Sequence, residues 1–115
     1  QFLVKKDVQF IEKIHQVIEE NLDNSDFNID TIASTIGLSR SAFFKKLKSL
    51  TGFAPVDLVK EIRLNKSIEL IKNSDMSISE IAFAVGFKDS GYFSKCFRKK
   101  YDQTPREYMN EWRKS

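Results

Sequence analysis

Apolar residues recur along this chain at helical spacing, and no segment sustains the alternation of a strand. Val8, Ile11, Ile14, Ile18 and Leu22 stand three or four positions apart, which lines them along one face of a first helix. Asp7 is placed to cap that helix, and the polar run Asp23-Asn24-Ser25-Asp26 closes it. A short second helix over residues 28–36 turns Ile29, Ile32, Ala33 and Ile36 inward, and Gly37 stops it. Ser39 caps a third helix, residues 40–50, with Phe43, Leu47 and Leu50 on its inner face. Gly52 and Pro55 punctuate the next turn. The fourth helix, residues 56–72, is the longest and is apolar on more than one side; at 1.5 Å per residue it extends about 25 Å.

The pattern then restarts. Ser77, with Glu80 three positions on, opens a fifth helix that faces Ile78, Ile81, Ala82 and Val85 inward and stops at Gly86. Asp89 caps a sixth, residues 90–101, with Phe93, Phe97 and Tyr101 inward. Thr104-Pro105 starts a seventh, and Tyr108 and Trp112 one turn apart on it read as core.

Residues 29–38 overlay 78–87: Ile29/Ile78, Ile32/Ile81, Ala33/Ala82 and Gly37/Gly86 are identical. After a single inserted residue, Phe43/Phe93, Lys45/Lys95 and Pro55/Pro105 coincide as well. The chain is a tandem of two helix–turn–helix units joined by a helix. In each, Ile-x-x-Ile-Ala presents one apolar face, the small Ala lets the following helix cross closely, and the Gly permits a sharp turn. The expected fold is all-α, with a first unit over about 8–55, a linker helix over 56–72 and a second unit over 77–113.

Charge sharpens this picture. Nineteen basic and sixteen acidic residues leave a net +3, but residues 1–36 carry −4 and residues 37–115 carry +7. The windows 39–52 and 88–101, which hold the second helix of each unit, carry +4 apiece. Two basic helices in matching places suit a polyanion with two grooves.

Composition argues against other chemistry. One His (His15) and one Cys (Cys96) in 115 residues preclude a Cys₂His₂ or Cys₄ zinc site and an intrachain disulfide, and no paired catalytic motif accompanies them. No cofactor or metal is expected. A packed thiol is the natural reading of Cys96 between Phe93 and Phe97, and a surface or semi-buried ring that of His15. No apolar stretch is long enough for a membrane span, so no membrane contact by this domain is expected. A start at Gln1 rather than Met fits a piece of a longer protein.

At these residues the chain resembles the DNA-binding domain of the AraC/XylS family of bacterial transcription regulators. The resemblance runs through Ile32-Ala33…Gly37-Leu38-Ser39-Arg40-Ser41-x-Phe43-x-Lys45, Gly52-x-x-Pro55 and Ile62-Arg63-Leu64. It is strongest in Ile81-Ala82…Val85-Gly86-Phe87-x-Asp89-x-x-Tyr92-Phe93-Ser94-Lys95-x-Phe97 with Thr104-Pro105-x-x-Tyr108. It implies seven helices, with the second helix of each unit entering the major groove of double-stranded DNA on one face of the duplex. It is also similar to the output domains of hybrid two-component regulators of Bacteroidetes. That implies a sensor and receiver elsewhere in a longer protein, a cytoplasmic domain whose parent could be membrane-anchored, RNA polymerase as a candidate second partner, and any dimer forming through other regions.

Carried over residue by residue, the resemblance turns Arg40, Ser41, Phe44 and Lys45 of the first unit toward base edges, and Ser90, Gly91, Ser94 and Lys95 of the second. Ser39, Lys48, Arg98 and Lys99 become phosphate contacts. Phe44 admits two readings, contact with a thymine methyl or a core role beside Phe43. Small residues on the sixth helix point to positioning and shape readout there more than to a base code. There are departures from the family. Lys45 and Lys95 stand where Arg is frequent, which removes a bidentate fork; Leu47 replaces a frequent Phe; and Asp102 stands where Gly is usual, which predicts a strained turn. Arg63 reads as half of a structural salt bridge. The alternative function is a protein-interaction module on the same fold. It would require exposed apolar anchors in place of lysines, and Phe44 is its one candidate anchor.

Overall fold

The structure, a computed structural model, describes residues 4–113. Among these residues it contains seven α-helices and no strand: α1 (Lys5–Glu20), α2 (Ile29–Ile36), α3 (Arg40–Thr51), α4 (Pro55–Asn73), α5 (Ile78–Ala84), α6 (Ser90–Tyr101) and α7 (Pro105–Arg113). They form two compact units, one of residues 4–21 and 26–62, the other of residues 22–25 and 63–113, so α4 contributes residues to both.

Side chains satisfy the free N–H groups that begin most of these helices. Asn28, Ser39 and Asp89 accept from backbone amides at the starts of α2, α3 and α6. Ser77 and Glu80 form a reciprocal box at α5, and Thr104 and Glu107 form a second one at α7, with bonds of 2.7 and 3.1 Å. In both boxes the backbone N–H donated to the carboxylate is the chief reason that Glu80 and Glu107 titrate below the usual carboxylate value. The exception is α1. It starts two residues before Asp7, with Val4 at the cap position and no side-chain cap, and Asp7 lies within the first turn.

The buried face of α1 also departs from the expected stripe. Phe10, Ile14, Val17 and Ile18 are buried, Ile11 is half-buried and Val8 is exposed. Apolar residues cover a wide arc of this helix, and packing selects the part centred on Ile14. Phe10 meets Phe43 edge-on, with ring centroids 6.5 Å apart. In the first unit α1 packs on α2 and α2 on α3, around Ile14, Ile18, Ile32, Phe43 and Leu47, each almost wholly buried. Each such side chain contributes about 1.5–3 kcal/mol.

The second unit repeats the corner with α5 on α6 and α6 on α7. Ala33 and Ala82 are buried at corresponding positions, and Phe43 and Phe93 have no exposed surface. An aromatic column runs Phe87, Phe93, Phe97, Tyr108, Trp112, with successive centroids 5.2, 5.8, 5.8 and 6.2 Å apart. Its far end is not core: Tyr108 is half-buried and Trp112 is 49% exposed. Trp112 stacks on Tyr108 on one side, and the Lys72 ammonium lies 4.3 Å from its ring centroid.

Arg63 also corrects a sequence expectation. It is buried at 8% exposure, and in place of a carboxylate it donates to two main-chain carbonyls, Gly86 O through Nη1 and Asn24 O through Nη2. Its Nε is buried without a partner, and burial pushes its pKa down. The guanidinium therefore ties residues 22–25 and the α5–α6 turn to α4. Gly86, at φ +95°, leaves it the room: a Cβ there would collide with the guanidinium and with the Leu22 carbonyl.

Candidate nucleic-acid interface

The two basic helices differ in what they expose. On α3, Arg40, Ser41, Phe44, Lys45 and Lys48 are all exposed, while Phe43 and Leu47 on the opposite side are buried. The 46% exposure of Phe44 removes its core reading. Lys46 lies 4.3 Å from the Phe10 ring centroid, so part of the charge in this window serves the unit's own packing. Ser39 is exposed, and its hydroxyl accepts from Ala42 N at 3.2 Å. Arg40 pairs with Asp30 of α2 at 3.2 Å.

On α6, Lys95, Arg98, Lys99 and Gly91 are exposed and Ser90 and Ser94 are half-buried. Asp89 Oδ1 takes the Gly91 and Tyr92 amides at 2.6 and 3.1 Å, which accounts for it as a cap. Lys100 turns back onto α4, where its ammonium donates to Asn65 Oδ1 at 2.8 Å and the Tyr101 hydroxyl joins at 3.1 Å. Each unit thus presents one outward basic face whose inner side is locked by a Phe.

The exposed aromatic inventory is wider than Phe44. Tyr92 on α6, Phe53 after α3 and Phe83 on α5 are also exposed. Sequence reasoning counted Tyr92 only as part of a motif, because an aromatic next to a core Phe gives no sign of which side it takes. Sequence reasoning also missed Asp30. It stands ten residues from Arg40, across a turn, and no helical spacing links them.

Among the described residues no group of three or more His, Cys, Asp or Glu could hold a metal ion. His15 sits with Ile11, Glu12, Gln16, Glu19 and Glu20 along an open depression on α1, an acidic face that does not suit a polyanion. Cys96 is half-buried and free. Among the described residues no helix is long and apolar enough to cross a membrane.

Comparison with known proteins places this geometry. Residues 32–111 match the helix-turn-helix domain family of AraC/XylS type. The chain is 38% identical over 106 residues to histidine kinase P4 of Formosa agariphila, a match that covers 92% of this chain. It spans only part of the curated relatives it matches, 8% of that kinase and 32% of a second relative. The C-terminal domain of the two-component response regulator yesN from Fusobacterium nucleatum superposes with a TM-score of 0.80 at 30% identity, covering 88% of this chain and 98% of that one. The DNA-binding domain of AdpA, a global transcriptional factor solved in complex with a target DNA, superposes with a TM-score of 0.82 at 28% identity, covering 90% and 92%. The chain belongs to the AraC/XylS-type helix–turn–helix family of DNA-binding domains.

Proposed function

We propose that this chain reads double-stranded DNA with both units, α3 and α6 each entering a major groove, as the output domain of a longer sensor and response-regulator protein. The observation that carries the reading is the repeat itself: the same corner, built twice, turns a basic face outward from a Phe-locked inner side both times. In this reading Lys45 and Lys95 contact bases, as do Arg40, Ser41 and Phe44 from α3 and Ser90, Gly91 and Ser94 from α6. Ser39, Lys48, Arg98 and Lys99 hold phosphates. Lysine at positions 45 and 95 supplies a point charge where arginine would supply a fork, so each contributes less base discrimination. In this reading the short side chains of α6 serve positioning and shape readout. The domain works in the cytoplasm without catalysing a reaction, with RNA polymerase as a second partner and dimerisation left to other regions of the protein.

Selection of bound duplexes from a random pool tests this directly. The expected result is one recovered sequence with two protected segments about one helical turn apart. Its affinity should fall with salt at a log–log slope of roughly −5 to −7, for about six to eight neutralised phosphates. Lys45→Ala and Lys95→Ala should each weaken a different segment. A pool that stays random, or binding indifferent to salt, refutes the reading.

A further inference from the structure

The Arg40–Asp30 pair is built into the first unit and absent from the second. By the internal repeat, Asp30 corresponds to Ser79 and Arg40 to Ser90, so acid and base are replaced together. The pair is not explained by stability. Its side chains are 68% and 64% exposed, and exposed pairs of this kind contribute little to folding.

The geometry gives it another use. Both bonds run through one nitrogen, Arg40 Nη1, which donates to Asp30 Oδ1 at 3.2 Å and to Oδ2 at 3.3 Å. Asp30 therefore leaves alone the Nε–H and Nη2–H groups, the lateral fork that matches a pair of acceptors. Asp30 is itself well anchored. It lies in the first turn of α2, where the helix dipole favours an acid. Arg40 is the first residue of α3. There the positive end of the dipole would repel its guanidinium, and a long unanchored side chain would have rotamer freedom to lose on binding.

We propose that Asp30 is a positioning residue: it holds the Arg40 guanidinium by its Nη1 edge and presents the lateral fork to a paired acceptor on DNA. That acceptor is either the O6/N7 edge of a guanine or two oxygens of a phosphate. The inference rests on the proposed DNA-binding function and adds a residue that touches no DNA.

A double-mutant cycle tests it. Wild type, Asp30→Ala, Arg40→Ala and the double variant are titrated at one fixed salt concentration with two probes, the duplex recovered by selection and a scrambled duplex of equal length. In the Arg40→Ala background, Asp30→Ala removes a negative charge near DNA and tightens binding a few-fold. With Arg40 present, the same change should give no tightening or a loss, a favourable coupling of about three- to tenfold. Arg40→Lys, which keeps the charge and lacks the fork, should abolish the coupling. Thermal melts of the single variants should stay within about 4 °C of wild type, so that every variant is folded in the titrations.

Coupling confined to the selected duplex, with base preference relaxed at one position when the selection is repeated on Asp30→Ala, identifies guanine. Equal coupling on both duplexes identifies phosphate. Equal tightening by Asp30→Ala in both backgrounds, or more with Arg40 present, means that Asp30 only repels DNA or competes for Arg40, and overturns the proposal alone. A wild-type chain that recovers no sequence and binds neither duplex overturns the DNA-binding function and this inference together.

Discussion

Gly37 and Gly86 occupy the same place in the two units and the same left-handed backbone region, at φ +85° and +95°. Replacing each with alanine should nevertheless give very different costs. At Gly37 no atom lies within 4 Å of where a Cβ would stand, so Gly37→Ala meets only the conformational penalty, about 1–2 kcal/mol. At Gly86 the added carbon meets the Arg63 guanidinium and the Leu22 carbonyl. Arg63 must leave, and its bonds to the Gly86 and Asn24 carbonyls go with it. Losing a hydrogen bond to a charged group costs about 1.5–3 kcal/mol, which, counting one of the two bonds, brings Gly86→Ala to about 2.5–5 kcal/mol. At about 4 °C per kcal/mol for a domain of this size, the expected losses in melting temperature are about 4–8 °C and about 10–20 °C. The lone tryptophan, Trp112, lies in the second unit, so its fluorescence follows that unit while circular dichroism follows both. Gly86→Ala should shift the fluorescence transition. Combining it with Arg63→Met should prove less costly than the sum of the two single changes by at least about 1.5 kcal/mol. Costs for Gly37→Ala and Gly86→Ala within about 0.5 kcal/mol of each other would refute the reasoning, because they would mean that Arg63 yields at no cost.

Other outcomes follow from the caps and turns. α3 ends on Gly52 at φ +80°, whereas α6 ends on Asp102 at φ +60°; Asp102→Gly copies the first unit into the second and should raise stability by about 0.5–1 kcal/mol in urea titration. Glu80 and Glu107 are held below their ordinary carboxylate value of 4.5 by their capping boxes. A lowered folded value means that their stabilising effect is fully present above about 4.5 and fades as pH falls through the lower folded values. In Glu80→Gln/Glu107→Gln the melting temperature should therefore change less between pH 5 and pH 3 than in wild type, and an unchanged acid slope would count against the two boxes.

Most of the fold was legible because it was written twice. The spacing of Ile32, Ala33 and Gly37, repeated at Ile81, Ala82 and Gly86, fixes two helices and a turn in each unit, and the inward Phe43 and Phe93 follow from the same periodicity. What escaped has physical reasons. On α1 apolar residues cover too wide an arc to show which part packs, and the three-and-four spacing runs through Val8 and passes by Phe10 and Val17. Trp112 shares a face with Tyr108, but periodicity gives a face without saying what covers its end. Arg63 satisfies itself on main-chain carbonyls, which have no sequence signature, so the sequence points to a carboxylate partner instead. In the interface, the exposed lysines were readable from charge and repeat, whereas Asp30 was hidden because its bond to Arg40 depends on the angle between two helices.

The plain surface of α6 has a thermodynamic consequence. In the proposed complex Phe44 and Lys45 on α3 must each be immobilised beside an Arg40 already held by Asp30, and long side chains surrender up to about 2 kcal/mol of rotamer entropy apiece when ordered. Ser90 and Ser94 have little such freedom, Gly91 has none in its side chain, and the helix already fixes its backbone. Within the base-facing set α6 therefore orders one long side chain, Lys95, so the base contacts of the second unit form at smaller entropic cost and with smaller enthalpic reward than those of the first. The two halves of one repeat should separate calorimetrically: site mutations under α3 should alter chiefly the binding enthalpy, and those under α6 should alter it far less.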